Sequence, residues 1–268
     1  MSRRVLVTAV GCLAVVTGGS GAGSVFASQT PRAGTAYTAR SQAAIPRSRA
    51  DRRRVLVGQI PNRLPTRRWV VALTFDAGAD NAGAPKILSV LARARVPATF
   101  FMTGRWAELY WRWARRIAAH YPIGNHTFNH TDLLTLSLAG VRSEVLGASA
   151  AIKRATGRPP VPLFRFPYGS SNASTLAVVN RLGYTAVGWT VDTLGWEGTS
   201  QGQSVNSVVS RALAHIERGE IILMHVGANP TDHSTLDADA LATIISGIRR
   251  RGYTLVTLPH TSDLRIAL

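Results

Sequence analysis

Cysteine is almost missing from this chain of 268 residues: there is one, at position 12, inside the first apolar run. If that run is removed on export, the remaining protein has no thiol. Disulfides, a cysteine nucleophile and a thiolate metal site are then excluded together. Lysine is nearly as scarce, with Lys86 and Lys153 the two examples, and acidic residues number 14 against 31 basic ones. A long hydrophobic run is also lacking. The stretch from Val5 to Val16 is interrupted by Gly11, well short of the roughly 20 apolar residues a membrane span needs.

What the N-terminus does contain is the layout of a secretory signal. Arg3 and Arg4 precede the apolar run, and Val25-Phe26-Ala27 supplies small residues before a cut. Cleavage is expected after Ala27, giving a secreted protein with no remaining membrane span. Ala9-Val10-Gly11 is a poor context for lipid attachment at Cys12. Loss of Arg3 and Arg4 leaves 29 basic residues against 14 acidic ones, a balance of about +15. Such a charge draws an exported protein towards anionic polymers, the cell wall among them. Nucleic acid is not expected as a partner, because no nucleic-acid-binding motif or basic-aromatic stripe accompanies the charge.

Residues 28–66 are rich in Ser, Thr, Ala, Pro and Arg, without apolar periodicity, and read as a flexible basic linker with a short strand at Val55-Leu56-Val57. From Trp69 onward the pattern changes. Strands are expected at Trp69–Phe75, Ala98–Thr103, Pro122–Gly124, Leu163–Phe166, Thr185–Trp189, Ile221–His225 and Tyr253–Thr257. Amphipathic helices fall between them, around 82–95, 105–119, 138–156, 172–182, 204–218 and 235–251. This alternation specifies an α/β domain with a parallel sheet. Periodicity leaves open whether the sheet closes into a small barrel or stays doubly wound.

The polar residues of interest stand where strands end, the edge at which α/β proteins build active sites. Asp76 ends the apolar run Val70–Leu73 within Thr74-Phe75-Asp76-Ala77-Gly78; alone it reads as a turn or capping aspartate. His126 and His130 stand four apart, and on a helical turn they would share one face, close enough for one divalent metal. Arg165, in Arg165-Phe166-Pro167-Tyr168-Gly169, is placed to clamp a carboxylate. Asp192 lies between Trp189 and Trp196, and His225 ends the apolar Ile221–Met224, where a lone histidine is ordinarily a satisfied core residue. Their joint position at strand ends sets them apart.

Taken in order, Thr74–Gly78, His126–His130, Arg165–Gly169, Asp192–Trp196 and Leu223–His225 resemble the five motifs of the polysaccharide deacetylases with the NodB homology domain, carbohydrate esterase family four. Phe100, Phe101 and Gly104 match a further segment usual there, and the resemblance spans about residues 68–262. It implies a deformed (β/α)7-type barrel forming a single catalytic domain from residue 67, with one divalent metal, usually zinc, at the strand carboxyl ends. Its substrate would be an acetylated polysaccharide or oligosaccharide.

By the same resemblance His126 and His130 are metal ligands, Asp76 the general base, Arg165 its tether and His225 the general acid. Asp192 would hold the His225 imidazole, and the Tyr168 backbone N–H would bind the oxyanion. Such a set suits amide hydrolysis: the metal polarises the acetyl carbonyl and its water, fixed donors meet the developing oxyanion, and a charged imidazole protonates the departing amine. The chain departs from the pattern twice. Ala77 stands where the family has a metal-binding aspartate, and Gly195 where it has an aspartate before the tryptophan. Asp80, on the same loop as Ala77, is open to two roles: the missing ligand, or the cap of the helix that follows.

Overall fold

The computed structural model describes residues 58–258, all within one compact unit. The expected export signal and the expected strand at Val55–Val57 lie outside the described residues. Among the described residues there are eight parallel strands: β1 (Val70–Ala77), β2 (Thr99–Met102), β3 (Ile123–Asn125), β4 (Leu163–Phe164), β5 (Thr185–Ala186), β6 (Val191–Asp192), β7 (Glu220–His225) and β8 (Thr254–Val256). The α-helices among the described residues are α1 (Ala84–Ala94), α2 (Gly104–Leu109), α3 (Trp111–His120), α4 (Leu138–Thr156), α5 (Ala173–Arg181), α6 (Val205–Leu213) and α7 (Leu236–Arg250). None of them is long and apolar enough to cross a membrane.

The strands run in the order β5-β4-β3-β2-β1-β7-β6, with β8 also paired to β1. β5 and β6 therefore occupy opposite edges, although four residues, 187–190, connect them. Five Cα steps reach at most about 17 Å, so the edges must approach one another. The sheet is a curled half-barrel. The single strand expected at Thr185–Trp189 is broken for this reason: pairing with β4 stops at Ala186, and the chain crosses the seam before joining β7 at Val191.

Residues 58–66, assigned to the linker on composition, lie along that seam. Gly188 N–H donates to Pro61 O at 3.0 Å, Thr190 Oγ1 to Asn62 O at 2.6 Å, and Leu64 N–H to Gly219 O at 2.7 Å. Arg63 forms an antiparallel bridge with Glu220. Composition missed this because the segment bonds through its backbone, and backbone groups left by an open sheet edge need partners whatever the side chains.

Period-two alternation then decides which side chains meet inside. On β1, Val71, Leu73, Phe75 and Ala77 join the outer core with Ile87, Leu91, Ile244 and Ile248 of α1 and α7. Ala72, Thr74 and Asp76 take the opposite, inner face. β7 repeats the pattern in register: Ala72 pairs with Ile221, Thr74 with Leu223 and Asp76 with His225. With both faces covered, every residue of β1 is buried, which is why it reads as a continuous apolar run.

Candidate active site

Asp76 is the last inner-face residue of β1, and Arg165 follows β4. The Arg165 guanidinium is fully buried and runs through the barrel, with Nη1 donating to Asp76 Oδ1 at 2.8 Å and to Thr74 Oγ1 at 2.9 Å. Its other end is held by the seam, Nη2 donating to Gly188 O at 3.0 Å and Nε to Val187 O at 3.4 Å. Phe101 lies 4.2 Å from the guanidinium carbon. Burial alone would raise the Asp76 pKa. The Arg165 charge, with His126 and His225 beyond it, outweighs burial and leaves that carboxyl below its ordinary value, hence ionised.

His126 and His130 come together by a route other than the expected helical turn. Residues 126–130 form a loop in which Thr127 and His130 have left-handed φ of 67° and 62°. Side chains hold this strained path. Asn125 Oδ1 accepts Thr127 N–H at 3.0 Å, and Thr127 Oγ1 accepts His130 N–H at 3.1 Å. Glu144 of α4 accepts the N–H groups of Phe128 and Asn129 at 2.9 and 2.8 Å and the Asn129 amide at 2.8 Å. The two imidazoles end edge to face, 4.8 Å between centroids. Burial lowers both pKa values, with His130 drawn down to about 4.

His126 Nδ1 lies 2.8 Å from Arg165 O. A carbonyl only accepts, so Nδ1 carries the hydrogen and Nε2 of the neutral ring keeps its lone pair. That lone pair faces Asp76 Oδ2 across 3.4 Å. Two acceptors facing one another favour a positive charge between them, a proton or a divalent cation. The donors thus fit a metal ion through His126 and His130, neutral as ligation requires. The third protein ligand of an ordinary catalytic zinc is another matter. Ala77 offers no donor, and among the described residues no three of His, Cys, Asp and Glu are grouped to hold a metal.

Asp80 does not fill that place. Its Oδ1 accepts the N–H groups of Ala82 at 2.8 Å and Ala228 at 3.0 Å, the backbone-capping alternative with a tie to the loop after β7 added. The expected partner of His225 also differs. Asp192 Oδ1 accepts the Leu194 N–H at 2.9 Å, so that carboxylate serves its own turn. The carboxylate against His225 is Asp237, in the first turn of α7: Oδ2 accepts the His225 backbone N–H at 2.8 Å and stands 3.6 Å from Nδ1. Burial pulls the His225 pKa down; Asp237 first, then Asp76 and Asp192, overcome it and leave the imidazole raised. Nothing in the sequence pattern marks Asp237, which reads as a helix N-terminal acid.

Tyr168 adopts φ 58°, ψ 5°, and its ring, largely exposed, meets His130 edge to face at 4.7 Å. Trp196 is half exposed, 6.3 Å from His225 between centroids. Asp76, His126, His130, Arg165 and His225 are therefore brought to one end of the barrel, with an aromatic ring against each of His130 and His225. The family model described as polysaccharide deacetylase matches residues 63–187. The chain is 34% identical over 198 residues to a chitooligosaccharide deacetylase of Sinorhizobium fredii, covering 71% of this chain and 90% of that one. The chain belongs to the polysaccharide deacetylase family.

Two solved structures bear on how this deacetylase fold is used. A peptidoglycan N-acetylglucosamine deacetylase superposes with a TM-score of 0.68 at 32% identity, over 75% of this chain and 91% of that one. A pseudoenzyme of carbohydrate esterase family four from Bacillus anthracis superposes with a TM-score of 0.65 at 28% identity, over 74% and 66%. The family match at 63–187 takes in Asp76, His126, His130 and Arg165 and ends before Asp192 and His225.

Proposed function

We propose that this polysaccharide deacetylase is exported and removes acetyl groups from N-acetylglucosamine-containing glycans, peptidoglycan or chitin-like, with the help of a divalent metal, zinc in the first instance. The observation carrying the proposal is the meeting of Asp76, tethered by Arg165, with His126, His130 and His225 at one barrel end. The names of the relatives supply the substrate class. Export rests on the N-terminal pattern, and the basic net charge suits an anionic wall.

His126 and His130 would hold the metal, which supplies Lewis-acid polarisation of the acetyl carbonyl and a more acidic water. Asp76 takes the proton of the attacking water, and Arg165 keeps that carboxylate ionised and aimed. The Tyr168 backbone N–H donates to the oxyanion as charge moves onto the carbonyl oxygen. His225 gives its proton to the departing amine nitrogen, a transfer typically worth about 10²–10⁴-fold in rate. Tyr168 and Trp196 present flat apolar faces to the sugar rings.

The test is paired. Acetate release is measured from chitooligosaccharide and from acetylated xylan, with metal content determined on the same preparation. Turnover of chitooligosaccharide, lost in His126→Ala and His130→Ala, supports the reading. Turnover of xylan alone makes the protein an O-acetyl esterase. Binding without turnover or metal supports a second reading, a glycan-binding protein with an impaired site, which Ala77 and the likeness to a pseudoenzyme favour.

A further inference from the structure

The carboxylate of Asp237 occupies a place that no motif of the sequence assigns. It is buried, on α7, and held towards the site by two hydrogen bonds: Oδ1 accepts the Thr193 hydroxyl at 2.6 Å, while Oδ2 accepts the His225 N–H and faces the His225 ring without bonding to it. Its neighbour on the other side is Gly195. A Cβ built at Gly195 lies 2.5 Å from Asp237 Cγ and overlaps its carboxylate oxygens. Position 195 and position 237 thus cannot both carry a side chain in this space. The glycine that interrupts the fourth motif is the room in which the Asp237 carboxylate sits.

We propose that Asp237 is the positioning residue of the general acid, delivering from helix α7 the carboxylate that the loop before Trp196 lacks. The proposal rests on His225 being that acid. His225 Nδ1 is buried without a hydrogen-bond partner among the described residues, 3.6 Å from Asp237 Oδ2. A small ring rotation brings the two within bonding range, as such contacts do when an active site closes on its substrate. Bonded there, Nδ1–H fixes the tautomer and turns Nε2 outward to the cleft. The Thr193 hydroxyl and the His225 backbone N–H hold the carboxylate from both sides. Other charged or titratable groups facing the imidazole are Asp76 on β1, Asp192 on β6, and His126 and His130 on the loop after β3.

Asp237→Asn removes the charge while keeping the side-chain shape and one of its two acceptor oxygens. The His225 ring is followed by NMR titration, which needs no substrate, beside the pH profile of acetate release. Asp237→Asn is expected to lower the His225 pKa, move the alkaline limb of activity to lower pH, and cut kcat about 10- to 100-fold with KM little changed. A second variant tests the shared space: Gly195→Asp alone should disrupt the site, and Gly195→Asp combined with Asp237→Ala should restore part of the activity and of the raised His225 pKa. An unshifted His225 in Asp237→Asn, or Gly195→Asp tolerated beside an intact Asp237, overturns the proposal. Should wild type release no acetate from either glycan, the functional reading fails while the NMR titration and the Gly195→Asp stability still decide the role of Asp237.

Discussion

At the scale of single residues, Ala77 and Asp80 bear opposite relations to the site. Ala77 is a buried methyl of the outer core at the end of β1, and a carboxylate there completes a three-ligand set by turning from that core towards His126 and His130. Ala77→Asp should tighten divalent metal binding, read by calorimetric titration of the metal-free protein. Asp80→Ala should leave that affinity unchanged and lower stability by about 1–2 kcal/mol, because two backbone N–H groups lose their acceptor. A sharp loss of metal affinity in Asp80→Ala would return Asp80 to the ligand set. Asp76, Arg165 and His225 were readable in sequence because each breaks or ends an apolar strand. Asp237 was not, since one more acid in the first turn of a helix carries no message until the helix is docked. The same holds for Asp192, whose motif position predicts a partner for His225 while its carboxylate folds back on Leu194.

Among the elements, the loop 126–130 is the least self-sufficient. Its two positive φ values at non-glycine residues cost of order 1–3 kcal/mol each, and the bonds from Asn125, Thr127 and Glu144 offset that strain. Histidine spacing alone suggested a helical turn; the same spacing is met by a bent loop because distant residue 144 supplies the acceptor. Glu144→Ala should lower stability by about 2 kcal/mol and weaken metal binding at least tenfold, although Glu144 touches neither histidine. Glu144→Gln, which keeps one acceptor, should fall between. Differential scanning calorimetry with metal titration separates the cases, and a Glu144→Ala protein binding metal as well as wild type would show that the loop holds its shape unaided.

For the molecule as a whole, alternation of strands and helices was legible throughout, and closure was not. Periodicity reports which face of a strand is buried. It carries no information on whether two edges meet, which here follows from a four-residue connection between strands at opposite ends of the order. A second whole-molecule property is set at the far end of β7. Glu220 is buried there, Oε2 accepting the Glu217 N–H at 3.0 Å and Oε1 without a partner among the described residues. Burial lifts its pKa to about 7 from 4.5. The unfolded chain therefore releases this proton from about pH 4.5 and the native protein only near 7, so stability falls as pH rises through that window. Glu220→Gln should remove the slope: its melting temperature should gain on wild type from pH 5 to pH 8. A constant offset between the two would mean that Glu220 ionises normally.

The backbone ties of residues 58–66 have a consequence for proteolytic maturation. Pro61 and Asn62 hold Gly188 and Thr190, and the Val187 and Gly188 carbonyls in turn anchor Arg165, the arm that keeps Asp76 aimed. A protease that trims the chain before Gly58 should leave activity intact. A cut a few residues later, after Thr66, severs the chain of supports leading to the Asp76 carboxylate without touching any motif. Activity should then fall at least tenfold while the circular dichroism changes little, a result that would place the start of the working unit upstream of the family match at residue 63.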